Sequence, residues 1–277
     1  MNLIQSALMG FVSGLTELLP LSAEAHRGLL RFILDVESEG ALFLLSTHIA
    51  VLVMLLAVGG LDLMRLYRTS KLLHTPTRRR TGRPDLNSAG TLRLLRSAAL
   101  MTVVGRALSL TMTVITRKLY LLALPLLVMG LILWVPTLFR TANKDGRHLA
   151  AADGTLLGLG ALAAAVPGIS LVGCVVSIGS VRGVERRYAV RFAWLLAVVG
   201  LLSAIGFDCM ALYRDGFDFS ASVLLSAGVG AATAAAGTVL SIQIVRSLIR
   251  PGGSGLSGFC YYNWGMALLC LALFLMV

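Results

Sequence analysis

The chain has 277 residues, of which 57% are hydrophobic and only 13% charged, whereas a soluble domain carries roughly a quarter charged residues. That deficit excludes an ordinary soluble fold. The net charge of +11 does not point to nucleic acid, because of the 24 Lys and Arg nine fall in 62–96, three in 140–153, four in 182–191 and two in 246–257, the pattern of cytoplasmic flanks under the positive-inside rule that can also touch anionic membrane lipids.

Apolar runs recur along the whole chain, and about 20 apolar residues cross the hydrocarbon core as a helix. A membrane β-barrel needs segments of about ten residues that alternate apolar and polar; these runs are continuous in Leu, Ala, Val and Gly. The first stretch, 1–21, is broken by Pro20 beside polar residues. It lacks the basic start of a signal peptide and carries Glu17 just past its apolar part. Spanning helices are expected at 41–61, 97–116 and 119–139. The stretch 154–181 is broken again, at Pro167, and further spans are expected at 192–212, 221–245 and 258–277. The predicted fold class is all-α: a polytopic integral membrane protein with about six spanning helices and two re-entrant helical hairpins.

Placing the four basic loops inside fixes the topology. The stretch 154–181 must then enter and leave on the inner side. The acidic loops, with Asp35, Glu37 and Glu39 and with Asp215 and Asp218, fall outside, as do both termini. Residues 1–30 dip in from outside, so the two hairpins face opposite ways. That is the signature of an inverted repeat whose broken elements meet near the midplane. The chain reads as one transmembrane domain, 1–277, with a first repeat at about 1–139 and a second at about 150–277, the basic loop 62–96 being cytoplasmic. The similarity behind the repeat is Gly14 to Pro20 to Ser22 against Gly160 to Pro167 to Ser170.

Ionisable groups at membrane depth are costly and mark function. Glu17, Glu24 and His26 lie in or beside the first break; a carboxylate near a His and hydroxyls suits metal binding and proton transfer to a phosphate oxygen. The bland reading places Glu24 and His26 at the aqueous interface. His48 is expected as a hydrogen-bonded core residue, and Arg106 as a snorkelling side chain or the partner of a buried acid. Cys174, Cys209, Cys260 and Cys270 form no CxxC or CxxH pair, so they read as small core residues rather than a zinc or redox site.

The run Gly14-Leu-Thr-Glu17-Leu-Leu-Pro20-Leu-Ser22, followed by His26, closely resembles the first signature of the bacitracin-resistance undecaprenyl pyrophosphate phosphatases, approximately E-G-L-T-E-F-L-P-V-S-S-T-G-H. Pro167-Gly168-Ile-Ser170-Leu171-Val172-Gly173 resembles their second, approximately P-G-x-S-R-S-G-A-T. Phe192-Ala-Trp-Leu-Leu-Ala-Val looks like F-S-F-L-L-A-V, and Phe259-Cys-Tyr-Tyr262-Asn263 looks like F-x-x-Y-R. The resemblance runs in order along nearly the whole chain. It implies a multi-pass phosphatase of the bacterial plasma membrane. Such an enzyme removes the terminal phosphate of undecaprenyl diphosphate with a divalent cation (Mg2+ or Ca2+), recycling the lipid carrier of cell-wall synthesis at a site open to the outer side.

Carried over by position, the resemblance implies Glu17, Ser22 and His26 as catalytic residues. It implies Ser170 and Gly168 as phosphate-binding and Glu17 as a metal ligand; Arg27 is expected to bind phosphate in place of the family's lost Arg, and Glu24 to hold the metal in place of the carboxylate missing at position 13. Five positions depart: Ser13 and Ala23 stand where the family has Glu and Ser, Leu171 and Val172 where it has Arg and Ser, and Arg191 where it has Glu. The loss of Arg matters most, because a guanidinium fork is the best local match to a diphosphate. Two functions follow: hydrolysis of a polyprenyl diphosphate, or binding or transport of a polyprenyl phosphate on the same scaffold without turnover.

Overall fold

A computed structural model describes residues 1–79, 82–139, 144–216, 218–250 and 255–276. Its regular elements are helical. In chain order they are α1 (Leu3–Glu17), α2 (Ala23–Leu34), α3 (Ala41–His74), α4 (Leu86–Ser109), the short α5 (Thr113–Arg117), α6 (Leu119–Trp134), α7 (Ala151–Ala163), α8 (Leu171–Val181), α9 (Arg186–Asp215), α10 (Ala221–Ile249) and α11 (Phe259–Met276). The described residues contain no strand beyond one isolated bridge, Lys144 to Val184.

Five segments, Ala41–His74, Leu119–Leu138, Arg186–Asp215, Ala221–Ile249 and Phe259–Met276, are long and apolar enough to cross a membrane. Only 22% to 39% of their most apolar stretches is buried inside the protein, and side chains such as Leu124 and Leu268 are 67% and 64% exposed. A continuous apolar belt of this kind suits lipid and not water. The chain is an all-α, multi-pass membrane protein.

Two predicted boundaries move. Helix α3 has 34 residues, about 51 Å at 1.5 Å per residue, against about 30 Å of hydrocarbon. Its last turns, from Asp62 to His74, and the first turns of α4 take up most of the predicted loop 62–96, with a short 3-10 turn at Thr77–Arg79 between them. The predicted span 97–116 is instead α4, which ends at Ser109 and is followed by a turn and α5. Arg93, Arg96 and Arg106 keep α4 out of the strongly apolar group.

The breaks at Pro20 and Pro167 divide each short apolar stretch into a hairpin. The Gln5 side chain near the start of α1 donates to the Leu34 carbonyl at the end of α2, at 3.0 Å. Asp153, in the first turn of α7, accepts from Arg182 just after α8, at 2.8 Å. The predicted basic loops gather at the α7–α8 end: Arg191 lies 3.9 Å from Asp62, the Gly146 amide donates to Asn87, and on either side of Val184 the Lys144 amide donates to the Gly183 carbonyl and the Glu185 amide to the Lys144 carbonyl. At the α1–α2 end, Met1, Glu39, Asp215 and Asp218 line one cavity.

Helix α1 packs along α10, α4 along α7, and α6 along α11. Small residues bring the backbones close, as membrane helices require: a Cβ on Gly14 would lie 1.9 Å from the Ala234 carbonyl oxygen, and one on Gly158 would lie 2.8 Å from Ala98 Cα. The largest apolar cluster joins Val172, Val175, Phe192 and Leu196 of α8 and α9 to Leu94 and Leu157, its α8 part beginning two residues after Ser170 of the second break.

Candidate active site

Both breaks follow the same local chemistry. Proline lacks the N–H that a helix interior needs and frees a carbonyl one turn before it, and the next Ser starts a new helix by capping it. Ser22 Oγ accepts from the Ala25 amide at 3.3 Å, and Ser170 Oγ from the Gly173 amide at 3.1 Å. Freed carbonyls at membrane depth must be satisfied by protein or by water in a cavity. Around Pro20 they are satisfied by protein: Trp194 donates to Leu18 O (3.4 Å), Ser170 to Leu19 O (3.2 Å) and Asn263 to Pro20 O (3.5 Å). The Gly168 amide donates to Ser22 Oγ at 2.9 Å. The two breaks therefore touch.

Beside their junction lies a cavity of about 90 Å³ lined by Glu17, Ser22, Glu24, Arg106, Ser170 and Leu171, with Thr102, Ser109 and Ala23 among its other walls. Four of the predicted residues, Glu17, Ser22, Glu24 and Ser170, thus share one space. Glu17 is half-buried and has neither a hydrogen bond nor an ion pair among the described residues. Ser22 accepts two N–H bonds, so its own O–H remains free to donate. Ser170 has given its proton to Leu19, which leaves it an acceptor only. Glu24 Oε1 lies 2.5 Å from Arg106 Nη1, the pairing with a buried acid that the sequence suggests for this arginine.

Three predicted residues lie elsewhere. His26 is buried on the far side of α2. Its Nδ1 meets the Ser22 carbonyl at 2.7 Å and its Nε2 meets Tyr262 Oη at 2.9 Å, with the two rings stacked. A carbonyl can only accept, so Nδ1 carries the proton and Nε2 accepts from the tyrosine. Two helical steps from Glu24 turn a side chain through about 200°, so His26 could not share the face of Glu24 once α2 begins at Ala23. Arg27 is buried beside Glu39, at 3.5 Å; it does not line the cavity, although its charge also acts on Glu24 and Glu17. Gly168 holds φ at 107°, a conformation glycine tolerates, and its amide is already committed to Ser22.

Where the family has its first Glu, Ser13 bonds back to the Met9 carbonyl at 2.7 Å and gives nothing to the cavity. Leu171 packs against both neighbouring apolar clusters. His48 is hydrogen-bonded as expected, and its partner is Asp208, at 2.7 Å. Sequence reasoning passed over Asp208, although a carboxylate inside the apolar run of α9 is itself the signal. All four cysteines are free; Cys174, Cys260 and Cys270 are buried and Cys209 is exposed.

Among the described residues no three His, Cys, Asp or Glu side chains converge as a metal cluster. A hard cation needs less here: Mg2+ is commonly held by one or two carboxylates together with substrate phosphates. The unpartnered Glu17, with Glu24 on the same cavity, fits that use.

The whole sequence carries the same relationship. It is 25% identical to the undecaprenyl-diphosphatase of Carboxydothermus hydrogenoformans over 99% of this chain and 98% of that one. To the undecaprenyl-diphosphatase of Geotalea daltonii it is 29% identical over 99% and 98%, and to undecaprenyl-diphosphatase 3 of Frankia alni 30% identical over 78% and 75%. The family described as bacitracin resistance protein BacA matches residues 6–269. With two serine-capped breaks in the right order and an acid-lined cavity where they meet, the chain belongs to the bacitracin resistance protein BacA family.

Proposed function

We propose that this protein hydrolyses undecaprenyl diphosphate to undecaprenyl phosphate and inorganic phosphate. The observation that carries the reading is Glu17, an unpartnered carboxylate that shares one cavity with an arginine and two serine hydroxyls at the junction of two broken helices. The relatives named above are diphosphatases, and they lend the binder or transporter reading no support.

The residues divide the work as follows. The terminal phosphate enters the cavity and accepts the free O–H of Ser22. Glu17 takes a proton from a water molecule, whose oxygen bonds to the terminal phosphorus. The bond from that phosphorus to the bridging oxygen breaks, and its electron pair stays on the undecaprenyl phosphate. Ala23 offers no hydroxyl, and the Ser22 oxygen is occupied by two amides, so water is the nucleophile. Glu17, with Glu24 beside it, would hold a divalent cation, Mg2+ or Ca2+, which when bound offsets the phosphate charge. His26 acts as a positioning residue, tying the first break to α11 through Tyr262.

The two hairpins enter from opposite ends of the molecule, α1 packs on α10 as α4 packs on α7, and the basic residues collect at one end. These support an inverted repeat with both termini and the acidic loops outside. The cavity is lined by Arg106 and Ser109, in the last turns of α4, away from the basic end where that helix begins. It therefore faces the outer half of the membrane.

The test is phosphate release from farnesyl diphosphate and undecaprenyl diphosphate by purified protein, with Mg2+, with Ca2+ and with chelator. Cation-dependent release that Glu17→Gln removes is the expected result. No release from either substrate under any condition would end the hydrolase reading.

A further inference from the structure

The second break has lost the cation that a diphosphate needs. Leu171 occupies its place, lining the cavity and packing against both apolar clusters. Yet the cavity is not without positive charge. Arg106 reaches it from α4, a different helix, and lines it beside Ser170 and Leu171. Arg27, the nearest arginine in sequence to the first break, is instead held by Glu39.

The state of the Arg106 guanidinium is informative. It has five N–H donors. One of them, on Nη1, meets Glu24 Oε1 at 2.5 Å. Its Nε is buried and has no hydrogen-bond partner among the described residues. Nη2 makes none of the described bonds either. The edge formed by Nε and Nη2 is the one that grips an oxyanion with two parallel bonds. A buried donor without an acceptor is costly, so a small turn of the side chain that brought this edge to an oxyanion in the cavity would be favoured. The side chains of Arg106 and Glu24 are each 21% exposed, so the pair stands at the cavity wall and not in the core.

We infer that Arg106 is the phosphate-binding arginine of this chain, taking from α4 the role that position 171 has lost, with Glu24 as its resting counter-ion. The inference rests on the diphosphatase reading for its substrate. It assigns the recognised chemistry, a diphosphate gripped by a guanidinium fork, independently of whether turnover occurs. It also explains how Leu171 is tolerated: the cation has moved across the cavity, leaving the second hairpin free to pack as an apolar element.

The experiment compares wild type, Arg106→Gln, Arg106→Lys and the double variant Arg106→Gln with Leu171→Arg. Each is purified in detergent and checked for thermal stability. Binding of farnesyl diphosphate is measured by calorimetry in chelator, and phosphate release is measured with saturating Mg2+. Arg106→Gln is expected to weaken binding by about tenfold to a hundredfold and to lower kcat/KM by about 10²–10³. Arg106→Lys keeps the charge that Glu24 pairs with, and so the fold, but lacks the fork; it should melt like wild type and still bind poorly. The double variant should recover part of both losses. Arg106→Lys that binds and turns over like wild type overturns the inference, as does a folded Arg106→Gln that does. If wild type binds the diphosphate without releasing phosphate, the hydrolase reading fails while the binding measurements still decide the role of Arg106.

Discussion

The Gly168 amide donates to Ser22 Oγ at 2.9 Å, so the hydroxyl that starts α2 is also the knot between the two broken elements. One oxygen serves a helix cap and an inter-hairpin contact at once. The geometry of the cavity depends on it.

Ser22→Ala removes the cap and leaves a buried Gly168 N–H without an acceptor. The two effects together should cost roughly 2–4 kcal/mol. Thermal unfolding in detergent should show a clear drop for Ser22→Ala and a smaller one for Ser22→Thr, which keeps the hydroxyl. Equal melting of Ser22→Ala and wild type would mean that the knot is not formed.

Glu17→Gln should behave in the opposite way. Glu17 has no hydrogen bond or ion pair among the described residues to lose, so unfolding should shift by no more than about 0.5 kcal/mol, while phosphate release disappears. A stable variant that retains full activity would remove Glu17 from the site.

His26 and Tyr262 act as one unit through their hydrogen bond and stacked rings. His26→Ala should reduce turnover without abolishing it, and Tyr262→Phe should do the same. The double variant should be no worse than His26→Ala alone, because both remove the same contact. Additive losses, or a dead His26→Ala protein of normal stability, would make the imidazole a catalytic group after all.

Topology is tested with single cysteines in a Cys209→Ser background, since Cys209 is the exposed native thiol. Thr77→Cys and Asp218→Cys both occupy exposed positions. An impermeant maleimide should label Asp218→Cys in intact cells and Thr77→Cys only after lysis. The reverse pattern would invert the whole arrangement.

Local chemistry made the breaks legible in the sequence. Proline closely followed by a capping serine favours the end of one helix and the start of another, so Pro20 with Ser22 and Pro167 with Ser170 could be placed without knowing their surroundings. The membrane class was legible because it depends on composition and run length. Side-chain direction was less so: His26 looked like a neighbour of Glu24, and only the start of α2 at Ala23 turns it away. Arg106 could be read as needing an acid, since a lone buried charge is costly. Which acid could not be read, because Glu24 lies 82 residues earlier and only the packing of α4 against the hairpins brings them together. The extent of α3 was misjudged for a related reason: charged residues after Leu61 mark where lipid ends, and a helix can continue past that point into water.

The close seating of α1 on α10 has a consequence for biosynthesis. Gly14 meets Ala234, and the carbonyls around Pro20 are satisfied by Trp194 and Asn263, all supplied by the second half of the chain. At about 5–20 residues per second, a ribosome needs tens of seconds to deliver them. Throughout that interval the first hairpin has its broken backbone without partners, a condition that hydrocarbon does not accept. It must therefore wait at the aqueous surface or inside the insertion machinery, and take its place only when the last helices arrive. Assembly of this protein ends where its sequence begins.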